Sequence, residues 1–221
     1  LNYLYQGIYI NDQIIIDASA YNSSTPRVPS NNEFYYYPIN DPTKASFSTQ
    51  SSNLGNTLDM RSIAYYAFSD NSYLYRWTWT TASSPNRNVE IYKANDLSTL
   101  TFVAQIDTSI FGNDFDAQAV TILNGDIFVA SAKQSTIYRI SGSTQYTSFS
   151  NYSSIQAGQC VAIRAYYDIS YGSSSLSVIA ACQSKIIRID WSDFNNPVIV
   201  ESYSASTINF TDYNFEIEPC V

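Results

Sequence analysis

Apolar and polar residues alternate in short runs along this chain of 221 residues, and no stretch of about 12 residues carries an apolar stripe at helical spacing. Runs rich in Ile, Val, Tyr and Phe are separated by clusters of Asn, Asp, Ser and Gly, the pattern of strands joined by turns. The chain is therefore expected to be all-β, with less than about a tenth helix. The runs also repeat. One piece, a short strand before a turn, occurs as Tyr36-Tyr37-Pro38-Ile39, Ile91-Tyr92-Lys93-Ala94, Ile137-Tyr138-Arg139-Ile140 and Ile187-Arg188-Ile189-Asp190, at intervals of 55, 46 and 50 residues. A second piece, a small residue leading into β-branched and aromatic ones, begins at Gly7, Ser62, Ala119 and Cys160, and again at Cys220.

Between each small-residue onset and the next short strand lies another strand: from Gln13 to Asp17, Tyr73 to Thr80, Asp126 to Ala130 and Leu176 to Ala181. A fourth follows, from Leu100 to Ile106 and from Val198 to Tyr203. Four strands per unit of about 50 residues predict a β-propeller built of four-stranded antiparallel blades. The units fall at about 5–55, 60–112, 117–152 and 158–206, with the start of a fifth at 213–221.

The last complete unit contains Ile186-Ile187-Arg188-Ile189-Asp190-Trp191-Ser192-Asp193-Phe194-Asn195-Asn196-Pro197-Val198-Ile199-Val200. This run resembles the LVIVD repeat: an apolar strand ending in Asp, a Ser-Asp turn, Asn-Pro, and a second apolar strand. Asn40-Asp41-Pro42 keeps a remnant of it, and the other two units depart from the pattern. The resemblance implies a propeller of the kind found in surface proteins. The turn has a physical rationale, since Asp and Ser side chains hydrogen-bond nearby backbone and Pro197 fixes φ ahead of an outer strand. A fainter likeness, in Asn95-Asp96-Leu97-Ser98-Thr99-Leu100-Thr101-Phe102, is to the Asp-box turns of sialidase-like propellers, without their Gly and Trp.

Composition narrows the function. The chain has no His, so imidazole-activated nucleophiles, His-ligated zinc and imidazole acid–base chemistry are excluded. Eleven basic against 19 acidic residues, a formal charge of -8, argues against a nucleic-acid partner. No apolar stretch approaches the 18 or so residues of a membrane span. Tyr, Ser, Thr and Asn supply most of the polar surface, a composition suited to an extracellular or cell-surface protein. The sequence starts at Leu1 without a leader, which is read as removed or lying upstream. Sequons at Asn22, Asn151 and Asn209 are candidate glycosylation sites, at a frequency that chance alone supplies.

Candidate ligand contacts are few. Tyr73, Tyr75, Trp77 and Trp79 alternate along one strand and are read first as core between sheets, second as a stacking platform for a sugar. Asn113, Asp114 and Asp116 form a turn with two carboxylates, without the Gly and distant Glu of an EF-hand, and are read as a solvated turn before a calcium site. Arg61 and Arg164 lie on expected inner strands, where a guanidinium attracts anions, but at unmatched places in their units. Glu216 and Glu218 are the acidic residues nearest to an inner-strand start that could serve a paired-carboxylate glycosidase. No catalytic residue, metal site or cofactor is assigned. The expected function is a non-catalytic protein-interaction, adhesion or assembly module, and the alternative is a carbohydrate-active propeller, lectin or glycosidase-like, with a glycan as partner.

Two further expectations concern cysteine. Cys160 and Cys182 lie opposite one another, as do Ile163 and Ile179, if a hairpin is centred on Tyr171. The cysteines are then within disulfide range. Cys220 matches Cys160 in register, so the 221 residues are expected to be part of a longer chain in which a further cysteine pairs with it.

Overall fold

The computed structural model describes residues 2–10, 13–21, 29–38, 46–48, 58–68, 71–80, 87–96, 99–112, 114–141, 151–169 and 174–204. Side chains are described at 73–75, 89, 91–93, 101–104, 106, 108–112, 114–141, 151–169 and 174–204. The described chain is all-β, and its one helical feature is a single 3-10 turn, Ser109–Phe111. The strands make four antiparallel sheets of four strands, each a meander in sequence order.

The first sheet holds β1 (Asn2–Ile10), β2 (Gln13–Tyr21), β3 (Pro29–Pro38) and β4 (Ser46–Ser48). The second holds β5 (Leu58–Phe68), β6 (Asn71–Thr80), β7 (Arg87–Asp96) and β8 (Thr99–Asp107). The third holds β9 (Ala117–Leu123), β10 (Asp126–Ser131), β11 (Thr136–Ile140) and β12 (Tyr152–Gln156). It runs four residues past the unit bound expected at 152. The fourth holds β13 (Cys160–Asp168), β14 (Ser175–Cys182), β15 (Lys185–Asp190) and β16 (Val198–Ser204). The chain divides into two compact units, Leu1–Asn113 with the first two sheets and Asp114–Val221 with the last two.

In the first unit β5 packs against β1, β2 and β3. In the second, β13 packs against β9 and β10. The core of the second unit gathers Phe128, Ala130 and Ile137 from one sheet with Ile163, Ala165, Val178, Ala180, Ile187 and Ile189 from the other, and Trp191 closes it. These are the alternate, inward-facing residues of strands with period two. Removing the Ile, Val and Phe side chains among them from water stabilises by roughly 1.5–3 kcal/mol each.

The four first strands share a feature that the sequence reading missed. Each pairs with its second strand through one β-bulge at a corresponding place: Tyr5 between Leu4 and Gln6, Arg61 between Met60 and Ser62, Gln118 between Ala117 and Ala119, and Val161 between Cys160 and Ala162. A bulge breaks the two-residue alternation locally, which disguises the strand in a pattern search. Its trace in the sequence is a small residue one or two positions later, Gly7, Ser62, Ala119 or Ala162.

The bulge also corrects the expected hairpin register. Cys160 does face Cys182, but Ile163 faces Ala180 and Arg164 faces Ile179. The body of the β13–β14 hairpin is centred half a residue later than expected, and the extra Val161 brings Cys160 back into line with Cys182. The turn around Tyr171, the fifth unit at 213–221 and Cys220 lie outside the described residues. The β9–β10 connection is a two-residue turn, Asn124-Gly125, with φ of 49° and 83°. Positive φ at both positions is what a type I′ hairpin requires, and Asn-Gly supplies it at least cost.

Candidate functional site

The segment that resembles a surface repeat forms a hydrogen-bonded junction in the second unit. Where β15 ends, Asp190 Oδ1 accepts from the Ser192 backbone N–H at 2.9 Å, and Asp193 accepts from the Asn195 N–H at 2.9 Å and the Asn196 side-chain amide at 2.8 Å. These bonds hold the Asp193 carboxyl below its ordinary pKa, the Asn196 amide contributing most. The turn they shape delivers Trp191 to the core. Its backbone N–H donates to the Leu176 carbonyl at 2.8 Å, and its indole N–H donates to Ser153 Oγ at 3.0 Å on β12. Its ring meets Phe128 edge to face at 5.7 Å.

Arg139 on β11 completes the junction. Its guanidinium pairs with Asp126 at 2.6 Å, donates to the Trp191 carbonyl at 2.7 Å and lies 5.0 Å from the centre of the Phe194 ring. A planar fork with five donors suits this role better than an ammonium. The third and fourth sheets are thus joined by one indole and one guanidinium, a fixed scaffold for the strand that follows.

That strand, β16, carries the most prominent exposed apolar side chains of the described residues on one element: Val198 at 55%, Val200 at 44% and Tyr203 at 65%. Beside them, Arg188 on β15 bonds Glu201 at 2.5 Å and reaches Asp168 at 3.4 Å. The Tyr203 hydroxyl donates to the other oxygen of Glu201 at 3.1 Å. The Arg188 hydrogen bond, and after it that from Tyr203, holds the Glu201 carboxyl below its ordinary pKa, and the same carboxylate holds the Tyr203 hydroxyl above its own. The patch offers valines, a phenol and a largely neutralised ion pair. Such a surface can bind, and it contains no activated nucleophile.

The other candidates fall elsewhere. Tyr73 and Tyr75 are 8% and 0% exposed and serve the core, which leaves no ring face open to a sugar. Trp77 and Trp79 share their strand β6, but their side chains lie outside the described ones, as does that of Arg61. Arg164 is exposed on β13. Asp116 is buried and spends its oxygens within the protein: Oδ1 accepts from Ser131 Oγ and the Lys133 N–H, each at 2.9 Å, and Oδ2 from Gln118 at 2.8 Å. It ties the bulge residue Gln118 to the β10–β11 turn. Among the described residues no three His, Cys, Asp or Glu side chains are grouped to hold a metal ion. Cys160 and Cys182 form a disulfide, with Cα atoms 3.7 Å apart. Asn151 is exposed in the bend before β12, whereas Asn22, Asn209, Asn113, Glu216 and Glu218 lie outside the described residues. No helix among the described residues is long and apolar enough to cross a membrane.

No protein-family model matches this chain, and no curated protein sequence matches it. Among solved structures it is similar to the major Malassezia sympodialis allergen Mala s 1, at 12% identity and a TM-score of 0.41 over 90% of this chain and 83% of that one.

Proposed function

We propose that the chain is an extracellular or cell-surface β-propeller, each four-stranded sheet a blade, acting as a non-catalytic protein-interaction, adhesion or assembly module. Four consecutive meanders with one bulge at the same place in each first strand support the propeller, as does the likeness of residues 186–200 to the LVIVD repeat. The Cys160–Cys182 disulfide supports an oxidising compartment. The observation that carries the binding function is the exposed set Val198, Val200 and Tyr203 on a strand anchored by Trp191 and Arg139. Large apolar side chains held in the open on a rigid support mark an interaction surface.

The test uses purified protein on intact cells, a glycan array and a hydrolase panel. The expected outcome is saturable, protease-sensitive cell binding that weakens about tenfold, equivalent to about 1.4 kcal/mol, in Val200→Lys. Saturable sugar binding that disappears in Trp77→Ala would replace this reading with a carbohydrate-binding one.

A further inference from the structure

The outer strands of the four sheets present backbone edges, and exposed edges invite pairing with other chains. Three of the four are blunted by visible means. β4 is only three residues long. β8 carries a bulge at Val103, where Ile91 faces Ala104 and Tyr92 faces Phe102. β16 carries one at Val200, where Arg188 faces Glu201 and Ile189 faces Ile199. Short edges and bulges are both known protections.

β12 has neither. It pairs with β11 in unbroken register from Thr136–Gln156 to Ile140–Tyr152. Its sequence, Tyr152-Ser153-Ser154-Ile155-Gln156, contains no charge and no proline. No strand among the described residues pairs with its outer side. Tyr152 at its start is 42% exposed. Directly before it stands Asn151, exposed in a bend whose carbonyl accepts from the Ser141 N–H at 2.9 Å, and Asn151-Tyr152-Ser153 is a sequon.

We propose that Asn151 carries an N-linked glycan that shields the flat outer edge of β12, the protection that bulges and shortness give the other three sheets; this rests on the extracellular reading above. In the transfer, the Asn151 amide nitrogen forms a bond to the anomeric carbon of a polyprenyl-diphosphate-linked oligosaccharide. The bond from that carbon to the diphosphate breaks, the lipid diphosphate leaves, and one amide proton passes to a base of the transferring enzyme. The transfer precedes folding. In the folded chain Ser153 Oγ accepts from the Trp191 indole, 38 positions further on. In the unfolded nascent chain that contact is not yet made, and the hydroxyl is free to assist the amide.

The test is expression of the 221-residue chain behind a secretion leader in a eukaryotic host, followed by peptide mapping without reduction and with amidase deglycosylation. The expected result is a Cys160–Cys182 cross-linked peptide together with conversion of Asn151 to Asp by the amidase. In Asn151→Gln the glycan is lost and the protein self-associates in light scattering at concentrations where the wild type is monomeric. Adding Ser154→Lys, which places a charge on the edge, returns it to monomer. A secreted, disulfide-linked protein with unmodified Asn151 overturns the site and leaves the extracellular reading standing. Free thiols at both cysteines with retention in the cell sink both. A glycosylated wild type whose Asn151→Gln variant stays monomeric overturns the shielding role.

Discussion

Trp191 shows how a residue that looks like part of a turn becomes the centre of a core. Its ring is fully buried, its N–H is satisfied by Ser153, and its carbonyl is held by Arg139. Trp191→Ala is expected to destabilise the protein by about 3–5 kcal/mol, through lost burial and the cavity left behind. Trp191→Phe keeps most of the ring and strands the Ser153 hydroxyl, so a smaller loss of about 1–3 kcal/mol is expected. Urea melts of both variants check the order: equal losses would show that the retained ring contributes nothing, and an unchanged stability in Trp191→Phe would show that the indole hydrogen bond contributes nothing. At the surface, Glu201 makes a prediction of opposite character. Its folded pKa is depressed, so the stabilisation it shares with Arg188 is present above the ordinary carboxylate range and is lost as pH falls through the folded value. Carboxyl NMR titration should place Glu201 below the usual glutamate value in the wild type and return it upward in Arg188→Gln. An unshifted wild-type Glu201 would mean that the Arg188 bond is not populated in solution.

At the scale of the strands, alternation and punctuation made much of the fold legible. Ile127, Val129, Ile137, Ile187 and Ile189 stand where the apolar pattern puts them, all fully buried. What remained hidden needed long-range contacts. The ion pair of Arg139 with Asp126 joins neighbouring strands, and its bond to Trp191 spans 52 positions, with no local signal for either. Asp116 read as a loop carboxylate because its acceptors are consumed by residues 15 and 17 positions away. The bulges were invisible because they interrupt the very period used to find strands. The cysteine pair was legible only because the bulge at Val161 compensated for a hairpin centre placed half a residue early. The disulfide closes a loop with a separation of 22, so its removal in the Cys160→Ala, Cys182→Ala double variant is expected to cost at most about 3 kcal/mol and to preserve the fold. A thermal melt with far-UV circular dichroism checks this, and loss of the β spectrum at room temperature would contradict it.

At the scale of the molecule, the propeller reading and a pair of independent sandwiches differ in cooperativity. Both use four-stranded meanders, and both accommodate a division into Leu1–Asn113 and Asp114–Val221. In a ring every blade face is covered by a neighbour, so unfolding one sheet uncovers two others and the chain should melt as a unit. In two sandwiches each core is closed within its own half, and one half can unfold while the other stands. Unfolding enthalpy scales with the number of residues that melt together, at about 0.7 kcal/mol per residue near 60 °C. The propeller therefore predicts one calorimetric transition with a van't Hoff enthalpy of about 150 kcal/mol, equal to the calorimetric value. Independent halves would give a van't Hoff enthalpy of only about 75–80 kcal/mol, whether or not their peaks resolve. A single-site perturbation sharpens the distinction. Trp191→Ala loosens the joint between the third and fourth sheets, so in a ring it lowers the one transition as a whole. In two sandwiches it lowers only the melting of 114–221 and leaves a second transition at the wild-type temperature, an outcome that would rule out a ring closed by these 221 residues.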